Sequence, residues 1–172
     1  MDFLQLAKKR YSTRSFSDRP VSQDDLMLIL EAGRVAPTAA NRQPQRMVVI
    51  QSKEGLEQLG QAARLYGAPL AILVCADHRE SWKRRSDGKD SADIDASIVT
   101  THLMMQATDL GLSTLWICAF DPEKVRKQCR LPDSTEPINL LAIGYDAGPA
   151  KPADRHATER KPLCELVVFE HY

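Results

Sequence analysis

Apolar positions along the chain fall into blocks whose spacing alternates between helical and extended periods. In residues 2–10, Phe3, Leu4, Leu6 and Ala7 supply one apolar side of a short helix. That pattern lapses over Arg10–Phe16 and breaks at Pro20–Ser22. Ser22 followed by Asp25 predicts an acidic cap, and Leu26, Ile29, Leu30 and Gly33 then keep helical spacing to about Val35. Pro37 ends this helix, because a proline pushes the residue before it out of the helical region. Residues 36–44 form a loop of small and amide side chains. The β-branched run Met47–Gln51 predicts a strand, and Gly55–Leu65 a modest helix.

Leu70–Cys75 is a continuous apolar run, which predicts a strand covered on both faces. Residues 77–91 are almost wholly polar and read as a mobile surface loop. From 92 to 110, Ile94, Ile98, Val99, Leu103, Met104, Met105, Ala107 and Leu110 wrap most of a helix, so this helix belongs in a core or an interface. Gly111 suits its C-terminal cap. Ser113–Cys118 predicts a strand, Pro122–Cys129 a helix opened by proline, and Ile138–Tyr145 a strand. A charged, proline-bearing tail spans 146–162, after which Leu163–Phe169 regains strand character. Alternating helices and strands without repeats predict an α+β or α/β class. The helix-rich start and the long closing arm do not suit a simple doubly wound sheet.

Length and charge narrow the function. A chain of 172 residues suits one domain, residues 1–172. Lys+Arg and Asp+Glu both number 23, so there is no basic excess to hold a nucleic-acid backbone. No apolar run approaches the roughly 20 residues of a membrane span. The amino terminus lacks the apolar core of a signal peptide, so the expected location is the cytoplasm. Cys75, Cys118, Cys129 and Cys164 show neither C-x-x-C nor zinc spacing. They are expected to be free thiols, mostly packed as small hydrophobes. No metal site is expected. His102, inside the apolar helix, is expected to be a hydrogen-bonded structural histidine.

Gly-rich phosphate loops, a nucleophile elbow and H-E-x-x-H are all missing. Two segments carry chemistry instead. In an extended stretch, Arg10, Ser12 and Arg14 point to one side, which lines up guanidinium, hydroxyl and guanidinium. Such a row suits a phosphorylated polyol, since Arg forks onto phosphate or a ring carbonyl. Taken alone, the row is a weak signal and fits a solvated charged turn better. The second segment, residues 36–46, combines small residues that let a backbone approach a flat ligand with Asn41 and Gln43 as donors and acceptors. Alone it also fits an ordinary helix-to-strand loop.

In order along the chain, these segments resemble the nitroreductase family. Arg10, Ser12, Arg14 and Phe16 match its R-x-S-x-R-x-F. Ala36, Pro37, Thr38, Ala39, Asn41, Gln43 and Pro44 match A-P-[ST]-[AS]-x-N-x-Q-P. The stretch DIDASIVTTHLMMQATDLGLSTLWICAFD resembles the family's central helix and the strand after it. AIGY at 142–145 resembles a late core strand, and Arg160-Lys161-Pro162-Leu163 with Glu165-Leu166-Val167 resembles the closing R-x-P-L-x-E-L-V. The resemblance implies a three-layer fold with a central mixed, mainly antiparallel sheet flanked by helices, in an intertwined homodimer that binds FMN at both subunit interfaces. It implies that Arg10 and Ser12 hold the phosphate and ribityl end with Arg160. Arg14 would lie near the N1–C2=O edge, with Cys118 and Ala119 at the N5–O4 edge. Pro37, Thr38 and Ala39 would cover the cofactor from the partner subunit, with Asn41 close by.

The activity implied is hydride transfer from NAD(P)H through flavin N5 to a nitroaromatic, quinone or related small oxidant, in a ping-pong cycle without a side-chain nucleophile. The resemblance implies no particular catalytic side chain, since water can deliver the proton. Cys118 and Ala119 replace glycines common after W-I, and Gln45 stands where the family often has an aromatic residue. Thr158 replaces a lysine of some relatives. These departures bear on substrate more than on flavin. A flavin-binding storage or regulatory protein with little turnover is one alternative. A flavin-fragmenting or dehalogenating relative of the same fold is another.

Overall fold

The computed structural model describes residues 2–172. Its helices are α1 (Phe3–Lys9), α2 (Gln23–Arg34), α3 (Lys53–Leu59), α4 (Ala92–Asp109), α5 (Pro122–Gln128), α6 (His156–Glu159) and α7 (Leu163–Leu166). Its strands are β1 (Gln45–Ile50), β2 (Leu70–Asp77), β3 (Ser113–Ile117) and β4 (Thr135–Gly144). They form one sheet in the order β1-β2-β4-β3, with every neighbouring pair antiparallel. Among the described residues the one parallel pairing is an isolated bridge outside these strands, between Ser12 and Thr114.

Strand β2 explains the layering. All eight of its residues are buried. Alternate side chains leave a strand on opposite faces, so Leu70, Ile72 and Val74 join Leu26, Ile29, Val99 and Leu103 beneath α2 and α4. Ala71, Leu73 and Cys75 join Leu59, Leu115, Val125 and Leu140 beneath α3 and α5. The apolar run therefore forms a central strand between two helical layers, as its composition predicts.

Local chemistry sets the element ends. Ser22 Oγ accepts from the Asp25 N–H at 3.1 Å, which caps α2. After α4, Gly111 takes φ +81°, and the Leu112 N–H returns to the Ala107 carbonyl at 2.9 Å. This is a Schellman turn, which favours glycine at that position. Gly33 lets α2 lie close on α4: a Cβ there would meet Leu103 Cδ2 at 2.7 Å and Met47 Sδ at 2.9 Å.

Several expectations change, and β1 and β4 open at Gln45 and Thr135, ahead of the expected Met47 and Ile138. Helix α3 begins earlier, capped by Ser52, and ends at Leu59 instead of Leu65, after which tight turns lead to a bridge between Ala63 and Phe120. Leu163–Phe169 is not a strand. It forms the turn of α7 and an exposed extension, because β-propensity needs a neighbouring strand. Residues 77–91 are a knit loop closed by a bridge between Lys83 and Asp90, with Ser81 and Ser91 buried. All four cysteines are free, but only Cys75 is fully packed; burial pushes its thiol up to about 12. Cys118 and Cys164 are exposed. Among the described residues, no helix is long and apolar enough to cross a membrane.

Candidate functional site

Helix α1 stops at Arg10, where the chain turns extended and runs beside β3. The Thr13 N–H donates to the Thr114 carbonyl at 3.0 Å, the Phe16 N–H to Tyr66 at 3.1 Å, and the Ser17 N–H to Tyr145 at 2.9 Å. Strand β3 is a sheet edge, so this segment covers backbone groups that would otherwise be open. Arg10, Tyr11 and Ser12 are half-buried, Thr13 is buried and Arg14 is exposed, so burial along the 10/12/14 row does not alternate cleanly. Ser15 stays exposed as well, before Phe16 is buried.

The carboxyl-terminal tail returns to the same place. Arg155 donates to the carbonyls of Lys8 at 3.1 Å and Arg10 at 2.6 Å, which closes the end of α1. The Tyr11 hydroxyl bonds the Asp146 carboxylate. Arg10 is half-buried, and its guanidinium pKa is pushed down by burial and then by the charges of Arg155 and Arg160. Among the described residues, none of these three arginines pairs with a carboxylate. A gathering of like charges without a counterion is unfavourable until an anion joins it. A recess of about 200 Å³ opens here, lined by Arg10, Gly111, Ser113, Thr114 and Lys151 among others. Lys151 and Arg155 carry no signal in the sequence, being two charges among many in the tail.

At the other end of β3, about 13 Å along the strand at ~3.3 Å per residue, Cys118 and Ala119 are exposed. Buried Asn139 organises this end. Its Oδ1 accepts from Trp116 Nε1 at 2.9 Å and lies 3.8 Å from Cys118 Sγ. Its Nδ2 donates to Thr100 Oγ1 at 3.2 Å and to Ser97 Oγ at 3.4 Å. The sequence offers no pointer to Asn139, because its four partners lie on β3, just past its end, and on α4.

The loop 36–44 sits elsewhere in the chain. The Ala39 N–H donates to Asp95 Oδ1 at 2.8 Å, and Ser91 Oγ donates to Asp95 Oδ2 at 2.8 Å. Asp95 is completely buried in the first turn of α4. Thr38 Oγ1 accepts from the Gln43 N–H at 3.1 Å. Ala40, Asn41 and Gln43 take φ of +49°, +52° and +53°, a left-handed conformation that side chains oppose. Pro37 and Asn41 are exposed. The loop thus hangs at the start of α4, while Arg10 lines a recess with Thr108, near its end. Thirteen residues at 1.5 Å each set the two groups roughly 20 Å apart. Within one chain they do not form one site.

A groove of about 720 Å³ follows α4 between α1 and α2, lined by Phe3, Leu6, Leu28, Val35 and Met105 among others. Phe3 is 72% exposed, and Ile94, on the outer stripe of α4, is 50% exposed. His102 is half-buried, with Nδ1 2.9 Å from the Ile98 carbonyl, the structural role expected of it.

An antiparallel sheet between two helical layers defines an α+β protein, and among the described residues Arg10, Arg155 and Arg160 gather beside its edge without a carboxylate partner. The chain belongs to the nitroreductase family, whose family model matches residues 7–64 and 56–145. It is 50% identical to a nitroreductase family protein from Clostridium difficile, with a TM-score of 0.98 and 100% of both chains covered. A structure described as an FMN-dependent nitroreductase from Clostridium difficile is 25% identical, with a TM-score of 0.84, over 99% of this chain and 100% of that one. An FMN reductase (NAD(P)H) from Bacillus subtilis is 31% identical over 179 residues, covering 93% of this chain and 69% of that one.

Proposed function

We propose that this chain is an NAD(P)H-dependent FMN oxidoreductase that works as a homodimer. The observation that carries the proposal is the pair of half-sites at opposite ends of α4. A two-fold axis crossing α4 sets the start of one copy against the end of the other, so each half-site meets its complement. The exposed stripe of α4 and the apolar groove beside it are the surface such pairing buries. The exposed apolar tail, Leu163–Phe169, is the second such surface and fits against the partner as well.

The residues fit FMN by their chemistry. Arg10 and Arg160, with Arg155 and Lys151 behind them, meet the phosphate, and Ser12 the ribityl chain. Arg14 lies along the same row, where a fixed cation favours charge gathering on the N1–C2=O edge. Cys118 and Ala119 present backbone at the other end of β3. The partner's Pro37, Thr38 and Ala39 cover the ring and exclude water, with Asn41 beside them. Bound FMN supplies the hydride chemistry, from NAD(P)H to a nitroaromatic, quinone or related small oxidant in alternating half-reactions. The 172 residues act as one domain, and a soluble nucleotide donor fits a cytoplasmic setting.

The test is the visible spectrum of purified protein soaked with FMN, followed anaerobically. Yellow colour that bleaches with NADH or NADPH and returns with a nitroaromatic supports the proposal. Protein that stays colourless after soaking, or runs as a lone subunit, refutes it.

A further inference from the structure

The polar loop 77–91 has no role in the site described above, yet its charges are unevenly spent. Its four acids are all engaged: Asp77 with Arg79, Glu80 with Arg46, Asp87 with Arg84, and Asp90 with His78. Lys83 and Arg85 of the loop, and Arg42 opposite, make no ion pair among the described residues. These three side chains line one open pocket of about 590 Å³ together with Trp82, Arg79 and Ser81. No acidic side chain lines it. The wall opposite the loop is Ala40 and Arg42, part of the same strained segment whose Pro37, Thr38 and Ala39 are proposed to cover the flavin.

We infer that this pocket holds the adenosine 2′-phosphate end of NADPH and so makes the enzyme prefer NADPH to NADH. The inference deepens the oxidoreductase reading and rests on it. A 2′-phosphate is a compact dianion with three acceptor oxygens, and three unpaired cations with no carboxylate among them complement it. Trp82, 38% exposed at the same pocket, offers an aromatic face for the adenine. The pocket shares its wall with the flavin-covering loop, so a dinucleotide can reach from one to the other. Nucleic acid is a poorer match, because the pocket is a single concavity and the chain as a whole has no basic excess.

Direct binding separates this inference from the flavin reading. Titration of the FMN-soaked protein with 2′,5′-ADP and with 5′-AMP, read by calorimetry and by Trp fluorescence, should show at least tenfold tighter binding of the bisphosphate. Arg42→Ala and Arg85→Ala should each weaken 2′,5′-ADP by about tenfold, the loss of one charged hydrogen-bond partner. Binding of 5′-AMP and uptake of FMN should change less than twofold. All three cations are exposed, so their substitution spares the fold; Lys83→Glu supplies an independent variant with the same expected direction. Equal affinity for the two nucleotides, or 2′,5′-ADP binding that ignores all three substitutions, overturns the inference while leaving FMN binding intact. A random oligonucleotide that outcompetes 2′,5′-ADP at this pocket overturns it too. Discrimination for the bisphosphate in protein that takes up no FMN leaves the pocket standing and sinks the flavin reading.

Discussion

Asp95 is the residue whose removal should be most telling. It is completely buried and accepts two hydrogen bonds, from the Ala39 N–H and the Ser91 hydroxyl, both at 2.8 Å. Hydrogen bonds to a carboxylate contribute about 1.5–3 kcal/mol each, which bounds the tether at about 3–6 kcal/mol. It works against the left-handed residues Ala40, Asn41 and Gln43, which cost about 1 kcal/mol apiece, or about 3 kcal/mol together. Tether and strain are therefore of similar size, and the loop stays in place because Asp95 holds it. Asp95→Ala should lower stability by about 3 kcal/mol, since water entering the gap recovers part of the bound. Asp95→Asn keeps an acceptor for the Ala39 N–H and should cost about 1 kcal/mol. The assay is urea unfolding at fixed protomer concentration, because the stability of the proposed dimer would depend on concentration. In parallel, FMN affinity should fall about tenfold or more in Asp95→Ala as the covering loop loosens. A loss of stability under about 1 kcal/mol for Asp95→Ala would show that the loop holds itself and that this reasoning is wrong.

Two further outcomes test the fold. His78 bridges Asp90 at 3.0 Å and Glu136 at 2.6 Å; its pKa is raised above the ordinary 6.5, first by the bond to Asp90 and then by that to Glu136. Its contribution is complete below pH 6.5 and is lost as pH rises through the higher folded value. The melting temperature should therefore fall more between pH 6 and pH 8 in the parent than in His78→Gln, and parallel curves would exclude the bridge. Leu103 is fully buried against Gly33, so Leu103→Ala should cost about 2–5 kcal/mol. Gly33→Ala, crowded in the parent, should become more favourable by over about 1 kcal/mol once Leu103 is cut back, because the added methyl enters the space left behind. Additive behaviour in that double-mutant cycle would contradict the close packing of α2 on α4.

Much of this protein is legible in short-range pattern. The apolar run that becomes β2, the spacing of α2 and α4, the Ser22 cap and the Gly111 turn are each decided within a few residues, where period and cap chemistry act. The Arg10, Ser12 and Arg14 row is local in the same sense, and the ordered motifs around it identified the family. Contacts made by the chain's return are not local. Arg155 reaches the Arg10 carbonyl across 145 positions, Lys151 joins the same recess, and Asn139 and Asp95 are fixed by partners on other elements. The end of the chain makes the same point from the opposite side. Leu163–Phe169 has strand composition but no strand beside it, and composition alone cannot supply a ladder partner. The residues themselves determined the elements, the family and one edge of the candidate site. Tertiary structure alone decided which distant charges gather on that edge, and that its complement lies at the far end of α4. The physical reason is that periodicity is felt over one or two turns, whereas convergence of distant residues depends on how the whole core packs.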